Sequence, residues 1–135
     1  MQIKHEKPPI YDAIIANKMR PHNGIVYTYG NTIYNPSGLN LPQYIIEHEE
    51  THSIQQGDNP DAWWKRYLKD KHFRIEQEIA AYINQYVFMC QMYKDRNQRD
   101  RILRQLAGIL SGPVYANIIS ESKAYWTIRD RSNVK

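Results

Sequence analysis

Residues 42–57 constrain this chain more tightly than any other stretch. Pro42 suits the first position of a helix and Gly57 its C-terminal cap, so the segment between them reads as about four helical turns. That helix carries His48-Glu49-Glu50-Thr51-His52, an HExxH pattern. Histidines four residues apart project from one helix face, one turn apart. Two imidazoles so placed can hold a zinc ion at Zn–N distances near ~2.0–2.1 Å. Glu49 follows the first of them and points toward the open side of the metal, where it can take a proton from water. With five His in 135 residues, a chance match is expected in about one such chain in a hundred. Glu47, Glu49 and Glu50 also crowd like charge into one turn, an arrangement that a bound cation offsets.

The flanking segments are punctuated well enough to place this helix. Tyr11, Ile14, Ile15 and Met19 predict a short helix over 11–19, and Pro21-His22-Asn23-Gly24 reads as a turn. From Gly24 to Tyr34 the residues are mostly β-branched or aromatic and alternate, which predicts two strands. Gly30-Asn31 is the two-residue hairpin signal between them. Asn59-Pro60 caps and starts a helix over 60–69 that carries Trp63 and Trp64, one expected in the core and the other lining a cleft or interface. Ile75, Ile79, Ile83, Tyr86, Val87, Cys90 and Tyr93 recur at spacings of three and four, which predicts a long helix over 72–95 with Cys90 as a small buried hydrophobe. Ile102, Leu103, Leu106, Ile109 and Leu110 predict another over 99–110, ended by Gly112-Pro113, with a last helix within 114–130. The pattern is α+β: a small antiparallel sheet followed by four or five helices.

A hydrolytic zinc site needs a third protein ligand and leaves a fourth position for water. The long helix supplies Glu78, one residue before the Ile79/Ile83 stripe, so it can border the core and face the HExxH helix. Glu76 points to the other side of that helix and reads as solvated. Ala80 and Ala81 would let two helices approach closely. His72 is a weaker candidate near a helix start, and His5 and His22 carry no signal. Tyr115, Tyr125 and His72 are the candidate oxyanion donors, each with a ready structural role.

HExxH followed by a Glu on a second helix resembles the gluzincin branch of the zincin metallopeptidases. In that branch the third ligand often lies in an E-x-x-A-D segment. Glu78-Ile79-Ala80-Ala81-Tyr82 matches at Glu78 and Ala81 and departs at Tyr82, where the family frequently has an Asp that orients a zinc histidine. The stretch from His48 to Gln56 also resembles short bacterial and phage zincin-like domains with an HExTHxxQQ pattern. The resemblance covers residues 25–85. It implies a zinc-dependent peptidase with His48, His52 and Glu78 on the metal and Glu49 as general base; at the departure from the orienting Asp, either the Tyr82 hydroxyl, a weaker partner, or another residue takes its place. It further implies that an edge strand at Asn31, Thr32, Ile33 and Tyr34 pairs with extended peptide or protein substrate.

Composition bounds these expectations. At 135 residues and 41% hydrophobic, the chain suits one domain over 1–135 with one core. The longest apolar run, Tyr86 to Cys90, cannot span a bilayer, and MQIKHEKPPIYD has no apolar h-region, so neither a membrane span nor a signal peptide is expected. A single cysteine excludes an internal disulfide framework and points to a reducing, cytoplasmic setting, or to a virion if the chain is phage-encoded. Residues 94–135 hold nine Lys/Arg against four acids, a surplus of five cations in a chain whose net charge is +4. Asp95, Asp100 and Asp130 lie among them, which favours pairing along helix faces over nucleic-acid binding, and no nucleic-acid motif is present. The 11 tyrosines suit an interface as well as a core. The competing expectation is therefore a zincin-like structural or interaction module, such as a phage virion or assembly component with a protein partner and a structural or degenerate metal site. A binder of anionic partners using residues 94–135 is a third.

Overall fold

The computed structural model describes residues 1–17, 19 and 24–134. The turn expected at Pro21-His22-Asn23 lies outside them. The described residues form an α+β fold with six α-helices and one three-stranded sheet. They divide into two compact units, Met1–Arg74 and Ile75–Lys135.

The first unit contains strand β1 (Gln2–Lys4), helix α1 (Tyr11–Ala16), strands β2 (Tyr27–Tyr29) and β3 (Thr32–Tyr34), and helices α2 (Gln43–Gln56) and α3 (Pro60–Lys69). The sheet order is β1-β3-β2. β2 and β3 are the expected hairpin, paired antiparallel with Thr28 opposite Ile33. Gly30 sits in its two-residue turn with φ 60°, a sign glycine adopts without steric cost. The sheet is mixed rather than antiparallel, because β1 pairs parallel to β3, Ile3 opposite Ile33. β1 is three exposed residues without an apolar rhythm, and only its non-local pairing makes it a strand.

Two helix ends differ from expectation for local reasons. α1 stops at Ala16, where the Asn17 amide donates to the Ala13 carbonyl at 2.8 Å and so satisfies a helix-end acceptor. α2 begins at Gln43 with an extended Pro42 as its cap, and ends at Gly57 with φ 58°. α3 starts as its sequence requires, with Asn59 Oδ1 accepting from the Ala62 N–H at 3.1 Å. Its last carbonyls are held by the buried guanidinium of Arg74, which donates to Tyr67 O at 2.9 Å and Leu68 O at 3.0 Å. The core of this unit is aromatic: Ile14, Tyr27, Tyr34, Trp63, Trp64, Tyr67 and Leu68, with Trp63 stacked on Tyr67 at 4.8 Å.

Helix α4 (Lys71–Met92) begins in the first unit and runs on through the second, which adds α5 (Arg96–Leu110), a 3-10 turn (Pro113–Tyr115) and α6 (Glu121–Ser132). Its core joins Ile75, Ile79, Tyr86 and Cys90 of α4 to Leu103, Leu106 and Leu110 of α5 and to Ala124 and Ile128 of α6. Cys90 is buried, as its place on the stripe requires. α6 starts later than its apolar pattern suggests. Ala116 and Asn117 take left-handed φ of 60° and 52°, which no helix continues through, and Ser120 caps the new start by accepting from the Lys123 N–H at 3.1 Å. The basic segment is partly paired along its helices: Arg104 binds Asp100 at 2.7 Å, and Asp95 caps α5. Among the described residues no helix is long and apolar enough to cross a membrane.

Candidate metal centre

The buried face of α2 is polar throughout. His48, Glu49, Thr51, His52 and Gln56 are its buried residues, while Ile54 is 80% exposed. Burying polar groups is costly unless each finds a partner, so this face has to be satisfied by hydrogen bonds from neighbouring elements or by a bound cation. Glu78 on α4 is also buried, at 3% exposed, whereas Glu76 is exposed and pairs with Arg131 at 3.1 Å.

The ligand atoms of His48, His52 and Glu78 lie within 4.8 Å of one another, and all three residues are buried. This group could hold a metal ion. Two imidazoles and a carboxylate form a donor set suited to a borderline divalent cation such as zinc. The His48 and His52 rings meet edge to face with centroids 5.0 Å apart. His52 Nδ1 lies 2.8 Å from Gln55 Oε1, so the ring donates through Nδ1 and turns Nε2 to the site. Trp63 packs on the other side of His52, centroids 5.5 Å apart.

Glu49 is held from the sheet. Its Oε1 accepts from the Thr28 hydroxyl at 3.1 Å, and its Oε2 lies 3.7 Å from His48 Nε2. Thr28 in turn is fixed by its own carbonyl, which accepts from Gln56 Nε2 at 2.7 Å and from the Trp64 indole at 2.9 Å. Gln56 Oε1 accepts from the Gly30 N–H at 2.7 Å. One amide side chain therefore answers both an acceptor and a donor on the outer edge of β2, as a neighbouring strand would.

The strand expected to pair with substrate is not an edge strand. β3, with Thr32, Ile33 and Tyr34, is the central strand and bonds to β1 on one side and β2 on the other. Ile33 and Tyr34 are buried, Asn31 is an exposed turn residue, and the backbone of β3 has no open edge to offer a peptide. The Tyr82 hydroxyl lies 2.9 Å from that of Tyr115, a buried pair. The Tyr125 hydroxyl donates to Asp100 at 2.5 Å, and His72 is exposed. Trp63 and Trp64 are both buried.

Thr28, Gln55 and Gln56 have no role that the sequence by itself assigns. The wider HExTHxxQQ likeness included both glutamines, which was the available signal for them. Nothing in the sequence singled out Thr28. Comparison of the chain with protein-family models, curated proteins and solved structures finds no match.

Proposed function

We propose that this chain is a zinc-dependent peptidase in which His48, His52 and Glu78 hold the metal and Glu49 is the general base. The observation that carries this reading is the buried His48/His52/Glu78 group on helices that also bury Glu49. The donor set suits zinc, and the HExxH spacing adds a carboxylate beside the ligands. When bound, zinc acidifies water and polarises a carbonyl.

The chain's own residues do the rest. Glu49 takes the proton from the attacking water and passes it to the departing amine, so the scissile C–N bond breaks with its leaving group neutral. Gln55 fixes the His52 ring, and Trp63 gives that ring an apolar neighbour. Substrate is bound without strand addition at β3, because that strand is already paired on both sides.

The test is hydrolysis of a fluorescence-quenched, unfolded protein substrate by the zinc-loaded chain. Glu49→Gln is expected to keep the metal and lose hydrolysis. Hydrolysis that survives Glu49→Gln contradicts the base assignment. Zinc held by a wild-type chain that does not hydrolyse moves the reading to a non-catalytic, metal-stabilised module of an assembly.

A further inference from the structure

A general base works only if its carboxylate is held at the reacting proton, and the two oxygens of Glu49 have different surroundings. Oε1 is 3.1 Å from Thr28 Oγ1 and Oε2 is 3.7 Å from His48 Nε2. Thr28 Oγ1 also lies 3.2 Å from the Glu49 carbonyl, but a hydroxyl has one proton, and a carboxylate is the stronger acceptor. The Glu49 carbonyl lies in mid-helix, where a backbone N–H one turn on serves it.

We propose that Thr28 is the positioning residue for Glu49: its hydroxyl donates to Oε1 and holds the carboxylate beside His48. This rests on the reading of Glu49 as the base. Thr28 is suited to the task. It is 1% exposed, so water does not compete for its hydroxyl. It is β-branched and therefore stiff about χ1. Its backbone is tied to Gln56 and Trp64 through its carbonyl, so the hydroxyl is mounted on a strand that both α2 and α3 hold in place. A base supported in this way reaches productive geometry without reordering at each turnover.

Two variants separate the hydroxyl from the shape of the side chain. Thr28→Val keeps the branch and the backbone bonds and removes the donor, whereas Thr28→Ser keeps the donor. On the zinc-loaded protein, Thr28→Val is expected to lower kcat on the order of 10²-fold, the scale of a misplaced catalytic group, with KM and zinc content unchanged. Thr28→Ser is expected to restore most of the rate. A Thr28→Val rate equal to wild type overturns the proposal, and so does a Thr28→Ser loss as large as that of Thr28→Val.

A second readout needs neither metal nor activity. In the zinc-free protein, Thr28→Val is expected to shift the urea midpoint more in wild type than on a Glu49→Ala background, because only wild type has the carboxylate to lose its donor. Equal shifts overturn the Thr28–Glu49 link. If the zinc-loaded wild type hydrolyses nothing, the peptidase reading fails, and this comparison still decides whether Thr28 holds Glu49.

Discussion

His52 Nδ1 and Gln55 Oε1 lie 2.8 Å apart, one turn along the same helix. A neutral imidazole carries one N–H, so this bond decides which ring nitrogen is left for a metal. Gln55→Ala removes the acceptor without touching the ligands. It is expected to weaken zinc binding about 10- to 100-fold with little change in melting temperature. Competition with a chromogenic chelator measures this, and an unchanged affinity would contradict an orienting role for Gln55.

Glu78 and Glu76 stand two residues apart on α4 and differ sharply in environment. Glu78 is buried, and Glu76 is half-exposed in an ion pair with Arg131. Exposed pairs of this kind contribute about 0–1 kcal/mol. Glu78→Ala is therefore expected to abolish stoichiometric zinc binding, while Glu76→Ala keeps it and leaves stability nearly unchanged. The reverse ranking, read from bound zinc after dialysis, would move the third ligand to Glu76.

Gln56 is expected to contribute measurably to the stability of the first unit. Its side chain donates to Thr28 O and accepts from Gly30 N, both at 2.7 Å. Gln56→Ala leaves Gly30 N without that acceptor, whereas Thr28 O keeps the Trp64 indole. Gly30 is only half-buried, so its N–H can turn to water and the loss is that of a net hydrogen bond, about 0.5–1.5 kcal/mol. Urea unfolding followed by tryptophan fluorescence reports on the first unit through Trp63 and Trp64. A midpoint equal to wild type would show that the β2 edge does not depend on this side chain.

Alkaline pH is expected to destabilise the fold through its buried tyrosines. Burial, assisted by the neighbouring Tyr11, pushes Tyr27 up from 10.0 to about 12. Burial, assisted by a hydrogen bond with Cys90, raises Tyr86 to about 12 as well. Between those values the unfolded chain gives up protons that the folded chain keeps. The stability they contribute is complete below about pH 10 and is lost as the pH rises toward 12. Tyr27→Phe removes one titrating group, so its urea midpoint is expected to fall less steeply over this range. An identical slope would contradict the role of Tyr27.

The parts of this fold that announce themselves in sequence are those whose cause is local. The β2–β3 hairpin follows from alternating Tyr, Thr and Ile around Gly30-Asn31, and α2 and α3 from Pro42, Gly57 and Asn59 at their ends. HExxH spacing alone put His48 and His52 on one face, and the Ile79 stripe placed Glu78 at the border of the core. What sequence hid depends on distant partners. β1 is a strand only because β3 lies beside it, and that same pairing turns the expected substrate edge into the sheet's centre. Thr28 is one threonine in a strand until the fold brings it to Glu49, 21 residues away. The start of α6 was masked by Ile118 and Ile119, which pack against the core from outside the helix.

Zinc content decides the site most directly. The wild-type chain, loaded and then dialysed, is expected to retain about one zinc per chain, and a His48→Ala/His52→Ala variant almost none. A wild-type chain that holds no zinc after loading, or a double variant that holds as much as wild type, would contradict a metal centre at His48, His52 and Glu78.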